Sequence, residues 1–192
     1  MIEVEKKFET TDEQLKALLE DSVFVENVVN HDIYYDFFDF RLVKEDIRFR
    51  LRNVGEKSSY ELKVRTKEGG DNEIEDAEEI KKFFKTELDL NEFIEKNLIV
   101  FMDYKTERQK YKNGEFKIDI DRLTTDESPD FVFNVCEVEL LVENDDQVQD
   151  AQTRIKDFAT KYGMNKQNIP KREAYLKAIK PEIYKQITSH EE

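Results

Sequence analysis

Tryptophan is absent from this 192-residue chain, and cysteine, histidine, proline and glycine are scarce: one Cys, two His, three Pro and five Gly. A lone Cys136 cannot close an internal disulfide, which excludes a disulfide scaffold and is compatible with a reducing, cytoplasmic setting. So few glycines and prolines leave little room for linkers or low-complexity segments. No apolar run approaches the ~20 residues that a membrane span needs, and the N-terminus has no apolar signal core, so no membrane partner is expected. Basic residues are in the minority, 31 Lys and Arg against 45 Asp and Glu, for a net charge of −14. That balance opposes non-specific binding to polyphosphate backbones, so no nucleic acid partner is expected either.

What is present is charge, 40% of all residues, together with 14 Phe and 8 Tyr, enough aromatic material for a packed core. A length of 192 residues fits one domain, and no repeat or boundary divides it. Ile2–Phe8 alternates with period 2, the mark of a strand; further strand patterns cover 32–38, 46–53, 60–66, 100–104, 106–112, 115–121 and 131–143. Asn113-Gly114 signals a two-residue hairpin, and the Gly-Gly pair within 65–71 signals a loop. Thr11 and Gln14 stand at capping-box spacing before a Leu15/Leu18/Leu19 stripe, and a helical pattern runs from Asp76 to about Asn97. The C-terminal segment, about 146–188, reads as one helix stopping at Gly163 and another starting near Lys171 and interrupted around Pro181. The order predicts an α+β domain on one antiparallel sheet of about eight strands.

The informative feature is where the charges fall on these strands. Residues at i and i+2 point the same way, so Glu3, Glu5 and Lys7 share a face, as do Arg48, Arg50 and Arg52. The same holds for Glu61, Lys63 and Arg65, for Glu73 and Glu75, for Arg108, Lys110 and Lys112, for Asp119 and Asp121, and for Glu137 and Glu139. Opposite faces carry Ile2/Val4, Phe49/Leu51, Leu62/Val64, Ile118/Ile120 and Val138/Leu140. Any one strand of this kind fits an ordinary half-exposed sheet. Repeated same-sign pairs repel, however, and make better sense if the carboxylates hold a divalent cation and the basic groups hold an anion.

At this point a resemblance enters. Ile2-Glu-Val-Glu-Lys-Lys-Phe8 contains a Glu-x-Glu-x-Lys signature similar to that of the CYTH superfamily, the triphosphate tunnel metalloenzymes. Asp32-Ile-Tyr-Tyr-Asp36, Arg50-Leu-Arg52, Tyr60-Glu-Leu-Lys63, Ile118-Asp-Ile-Asp121, Glu137-Val-Glu139 and Lys171 with Tyr175-Leu176 follow in the order seen in its thiamine-triphosphatases. The resemblance covers essentially the whole chain, read as one domain over residues 1–192. It implies an eight-stranded antiparallel barrel with a charged tunnel inside and helices outside. It implies that Glu3, Glu5, Asp119, Glu137 and Glu139 bind Mg²⁺ or Mn²⁺, with Asp121 a further candidate. Lys7, Arg50, Arg52, Lys63, Arg108 and Lys171 would contact a triphosphate, and Arg65, Lys110, Glu61, Glu73 and Glu75 form a second tier. Tyr34 and Lys63 match a tyrosine–lysine pair assigned near water activation; Lys63 serves as a base only if its neighbours lower its pKa.

The implied activity is metal-dependent hydrolysis of a small triphosphate by a cytoplasmic monomer. Mammalian-type thiamine-triphosphatases carry a tryptophan where this chain has Arg48, which weakens thiamine selectivity unless Phe37, Phe38, Phe40 or Phe49 substitutes. Phe49 is expected to face outward with Leu51. A class IV adenylyl cyclase and a non-catalytic polyphosphate-binding module are the alternatives. His31 and His190 are expected at the surface, and Cys136 is expected opposite Glu137 as a buried, inert thiol.

Overall fold

The structure is a computed structural model and describes residues 1–67 and 70–189. Nine strands are present among the described residues: β1 (Ile2–Glu9), β2 (Val23–Asp36), β3 (Ile47–Val54), β4 (Lys57–Arg65), β5 (Asp71–Ile74), β6 (Ile99–Asn113), β7 (Phe116–Thr125), β8 (Ser128–Val142) and the two-residue β9 (Asn165–Lys166). The first eight run in the antiparallel order β5-β4-β3-β2-β6-β7-β8-β1, and β5 pairs with β1 to close the barrel. Among the described residues closure is made at one residue pair, Glu3 opposite Asp71, while β9 is appended outside β1.

Among the described residues seven α-helices surround this barrel: α1 (Asp12–Glu20), α2 (Arg41–Lys44), α3 (Ala77–Phe84), α4 (Leu90–Asn97), α5 (Val148–Lys161), α6 (Lys171–Ile179) and α7 (Pro181–Thr188). The Thr11/Gln14 capping box at α1 forms as expected. The long helical pattern over 76–97 is in fact two helices. Lys85 takes a left-handed conformation, Thr86 Oγ1 accepts from Leu88 N–H, and Asp89 caps α4 by accepting from Asn91 N–H. Side chains that satisfy the backbone locally compete with a continuous helix.

Two strand expectations also change. The separate patterns at 100–104 and 106–112 form one 15-residue strand, and β2 begins at Val23 rather than near Asp32. Val23–Asn30 has no clean alternation; it is extended because β6 pairs along its length. The hairpin after β6 has Gly114-Glu115 as its loop, since Asn113 is already opposite Phe116. Gly114 has φ +59° and Glu115 is not among the positive-φ residues, the backbone of a type II′ turn with glycine first.

Alternation splits the barrel wall as expected, apolar outward and charged inward. Ile2, Val4, Phe8, Val138 and Leu140 pack outside with Ile155 and Phe158 of α5. Phe49 and Leu62 pack outside with Ile80, Phe93 and Ile94 of α3 and α4. A third cluster departs from this split: Tyr34, Met102, Tyr104 and Leu123 share the strand faces of Asp32, Arg50, Arg108 and Asp121 and pack with Tyr175 and Leu176 of α6. Each fully buried Leu or Phe contributes about 1.5–3 kcal/mol relative to exposure. Cys136 lies in the first cluster at 2% exposure, and burial pushes its thiol up to about 12. No described helix is long and apolar enough to cross a membrane.

Candidate active site

Register brings the charged faces together inside the barrel. Across β1, β8 and β7, Glu5 stands opposite Glu139, Lys7 opposite Glu137, and Glu137 opposite Asp119. Arg108 on β6 stands opposite Asp121. Arg50 faces Glu61 and Arg48 faces Lys63 across β3 and β4, and Lys63 faces Glu73 on β5.

The ion pairs follow this register. Glu137, 5% exposed, gathers three cations: Lys7 at 3.0 Å, Arg108 at 2.8 Å and Lys171 at 2.8 Å. Their combined field outweighs the burial that would raise it, and holds the Glu137 carboxyl well below the usual carboxylate range. Arg108 also reaches Asp119 at 2.5 Å and forks onto Asp121 at 2.7 and 2.6 Å. Lys7 contacts Glu5, and Lys171 contacts Asp121. Lys171 reaches so far inward because Pro170 starts α6 directly before it, and Tyr175 and Leu176 pin that helix to the barrel.

On the other side, Lys63 Nζ lies 2.8 Å from Glu3 and 3.3 Å from Glu73. Burial works against the ammonium, but Glu3 and Glu73 outweigh it and raise the lysine pKa. In this arrangement Lys63 is therefore held as a cation rather than eased toward a base. Tyr34 OH accepts from Arg50 Nη1 at 2.9 Å and lies 3.1 Å from Tyr104 OH. Burial disfavours its phenolate, yet Arg50 and Arg52 tip the balance and lower its pKa. Tyr34 and Lys63 thus have separate partners.

A metal fits the donor set. Glu3, Glu5, Asp119, Glu137 and Glu139 offer only hard carboxylate oxygens. Burial, with Asp121 and Glu137 adding and Arg108 opposing, raises Asp119 to about 6. Burial and then Glu3 raise Glu139, despite Lys117 at 2.9 Å. Among the described residues, however, the carboxylates whose ligand oxygens all lie within 4.8 Å of one another are Glu61, Glu73 and Glu75, not members of that set. Of the second tier, Arg65 meets Asp71 at 3.4 Å and Lys110 meets Glu26 at 3.0 Å.

Two participants escape a reading of the strands one at a time. Asp32, 2% exposed, shares the inner face with Tyr34, and its i+2 spacing was the available signal. Asp71, 4% exposed, binds Arg48 at 2.5 Å and lies in the short strand that closes the barrel. The aromatic candidates near Arg48 do not line the tunnel: Phe37 and Phe49 pack under α3 and α4, Phe38 is exposed, and Phe40 packs on Phe101. His31 Nε2 lies 2.6 Å from Asp103 Oδ1, half-exposed within β2 rather than at its start; His190 lies outside the described residues.

A model of the CYTH domain matches residues 1–172. Among solved structures, the chain is similar to PH1819 protein from Pyrococcus horikoshii OT3, at 20% identity over 92% of this chain and 99% of that one, TM-score 0.66. It is similar to a candidate adenylate cyclase from Vibrio parahaemolyticus, at 16% identity over 91% and 97%, TM-score 0.61. It is also similar to HpAC1 of Hippeastrum, a candidate adenylyl cyclase described as having a dominant triphosphatase activity, at 14% identity over 92% and 95%, TM-score 0.56. These likenesses speak to the fold. No curated protein matches.

Proposed function

The chain belongs to the CYTH domain family, and on that premise we propose that it is a divalent-metal-dependent hydrolase that removes the terminal phosphate of a small triphosphate, inorganic triphosphate before thiamine triphosphate. The observation that carries this reading is the convergence of Lys7, Arg108 and Lys171, from three elements, on the buried Glu137, with Lys63 held ready on the other wall. Such a cluster is a built anion site whose cations are kept in place by carboxylates until the anion arrives.

Glu3, Glu5, Asp119, Glu137 and Glu139 would hold the metal, with Mg²⁺ or Mn²⁺ suited to their oxygens. When bound, the ion supplies Lewis acidity and withdraws charge from phosphate oxygens. Lys7, Arg108 and Lys171 then neutralise the triphosphate and hold it extended, and Arg52 and Lys63 fix its other oxygens. Tyr34, eased toward phenolate by Arg50, is the better placed of the expected pair to orient water and take its proton. The preference for inorganic triphosphate rests on Arg48 replacing a stacking aromatic and on the neighbouring phenylalanines lying outside the tunnel.

The test incubates the protein with inorganic triphosphate, thiamine triphosphate or ATP, each with Mg²⁺, with Mn²⁺ or with EDTA, and separates the products. Metal-dependent phosphate release, fastest from inorganic triphosphate, is the expected result. Cyclic AMP with pyrophosphate would establish the cyclase that two of the similar structures suggest by name. Tight binding without turnover would establish a polyphosphate-binding module. Glu139→Gln should abolish the metal-dependent reaction with little change in melting temperature, because Glu139 is paired only with the half-exposed Lys117.

A further inference from the structure

The arginines of β3 differ in how much of each is free. Arg50 has every nitrogen engaged: Nε and Nη2 donate to Glu61 Oε2, and Nη1 donates to Tyr34 OH at 2.9 Å and lies 3.5 Å from Asp32 Oδ2. Arg52 is gripped on one edge. Its Nε donates to Asp32 Oδ1 and its Nη2 to Asp32 Oδ2, both at 2.7 Å. Among the described residues, its Nη1 has only Glu61, at 3.6 Å. The Arg52 side chain is 18% exposed, against 3% for Asp32.

A forked pair of this kind fixes the plane of a guanidinium as well as its position, which no single hydrogen bond does. Asp32 also shares its charge between two guanidiniums that alternate along one strand face and would otherwise repel. Burial would raise the Asp32 carboxyl, but Arg50 and Arg52 lower it, so it is a permanent anion. The contacts of Asp32 are with these arginines and not with the carboxylates expected to take a metal.

Resting on the triphosphate reading above, we propose that Asp32 is a positioning residue: a buried anchor that holds Arg52 by one edge and so presents its Nη1 edge to a triphosphate oxygen. Asp32 does not itself touch the substrate. Glu61 takes both Nε and Nη2 of Arg50 on one oxygen, and with Tyr34 and Asp32 leaves it no free edge, so of these two arginines Arg52 is the one that can meet phosphate.

The test titrates the imido-bridged, non-hydrolysable analogue of tripolyphosphate, with Mg²⁺, into wild type, Asp32→Glu, Asp32→Asn, Arg52→Gln and both Asp32 variants combined with Arg52→Gln. Asp32→Glu keeps the charge but displaces the fork. It should lower affinity about tenfold or more with the melting temperature nearly unchanged, an effect that a merely structural carboxylate would not produce. In the Arg52→Gln background either Asp32 substitution should change affinity less than about twofold, because the group it positions is gone. If Asp32→Asn does not fold, the Asp32→Glu and Arg52→Gln cycle carries the test alone. Wild-type binding that Asp32→Glu leaves intact, or losses that multiply in the double variant, would overturn the role of Asp32. Failure of wild type to bind the analogue would overturn the triphosphate reading itself, and this proposal with it.

Discussion

On β1, β6, β7 and β8 the inner wall is built from carboxylates, Glu3, Glu5, Asp119, Asp121, Glu137 and Glu139, with Lys7, Arg108 and the helix-borne Lys171 set among them. On β2 to β5 more cations line the wall, Arg48, Arg50, Arg52 and Lys63, and their contacts are spread over several carboxylates, Asp71, Glu61, Glu73, Glu3 and an Asp32 shared between Arg50 and Arg52. The first wall concentrates its cations on one shared anion. A divalent ion taking those carboxylates would leave Lys7, Arg108 and Lys171 free for phosphate. The second wall spreads its pairs, and a fork on Asp32 fixes the plane of Arg52, as a fork on Asp121 fixes Arg108 across the barrel. The two lysines of the first wall are suited to exchange partners and the forked arginines to hold geometry, as flexible lysine and planar arginine respectively favour.

The largest test of this contrast removes the hub of the first wall. Glu137→Ala should cost about 3–5 kcal/mol of stability, because three buried or half-buried cations lose their common partner, and turnover should fall at least ~100-fold. Thermal melting and metal-dependent phosphate release measure the two effects. Next, Arg52→Lys should lower turnover roughly 10–100-fold while the fold survives, since lysine cannot reproduce the fork on Asp32. Steady-state kinetics beside a circular dichroism spectrum would check it; unchanged turnover would erase the distinction between the walls.

A smaller effect is expected at the seam where the walls meet. An added Cβ at Gly70 would lie 2.5 Å from Ile2 Cγ2, so Gly70→Ala should push β5 from β1 and cost about 1–3 kcal/mol in a denaturant melt. The smallest effect concerns the outer face. Because burial holds Cys136 protonated up to about 12, the folded thiol keeps a proton that the unfolded chain loses near 9. Stability contributed there is present below about pH 9 and declines as pH rises toward 12. The native protein should also resist iodoacetamide at pH 8 and react after denaturation, which mass spectrometry reads directly.

Much of this was legible in the chain. Period-2 alternation sorted Glu3, Glu5 and Lys7 from Ile2 and Val4, and Phe49 from Arg48 and Arg50, because a pleated strand must send neighbours to opposite faces. The capping box at Thr11 and the stop at Gly163 were legible for the same reason: they are satisfied within a few residues. The partners of Asp32 and Asp71 were not: the i+2 spacing of Asp32 to Tyr34 gives its face, but no aspartate carries a mark of the arginine that will meet it from another strand. Nor was the early start of β2, which only β6 makes extended, or the break between α3 and α4. By itself the sequence determined which side chains share a face; that the charged faces line an interior was implied by the resemblance and decided by closure of the barrel. Tertiary structure alone decided which charges meet, that Lys63 is held as a cation and that Arg52 keeps an edge free, because partners across a barrel are fixed by register and closure between strands far apart in the chain.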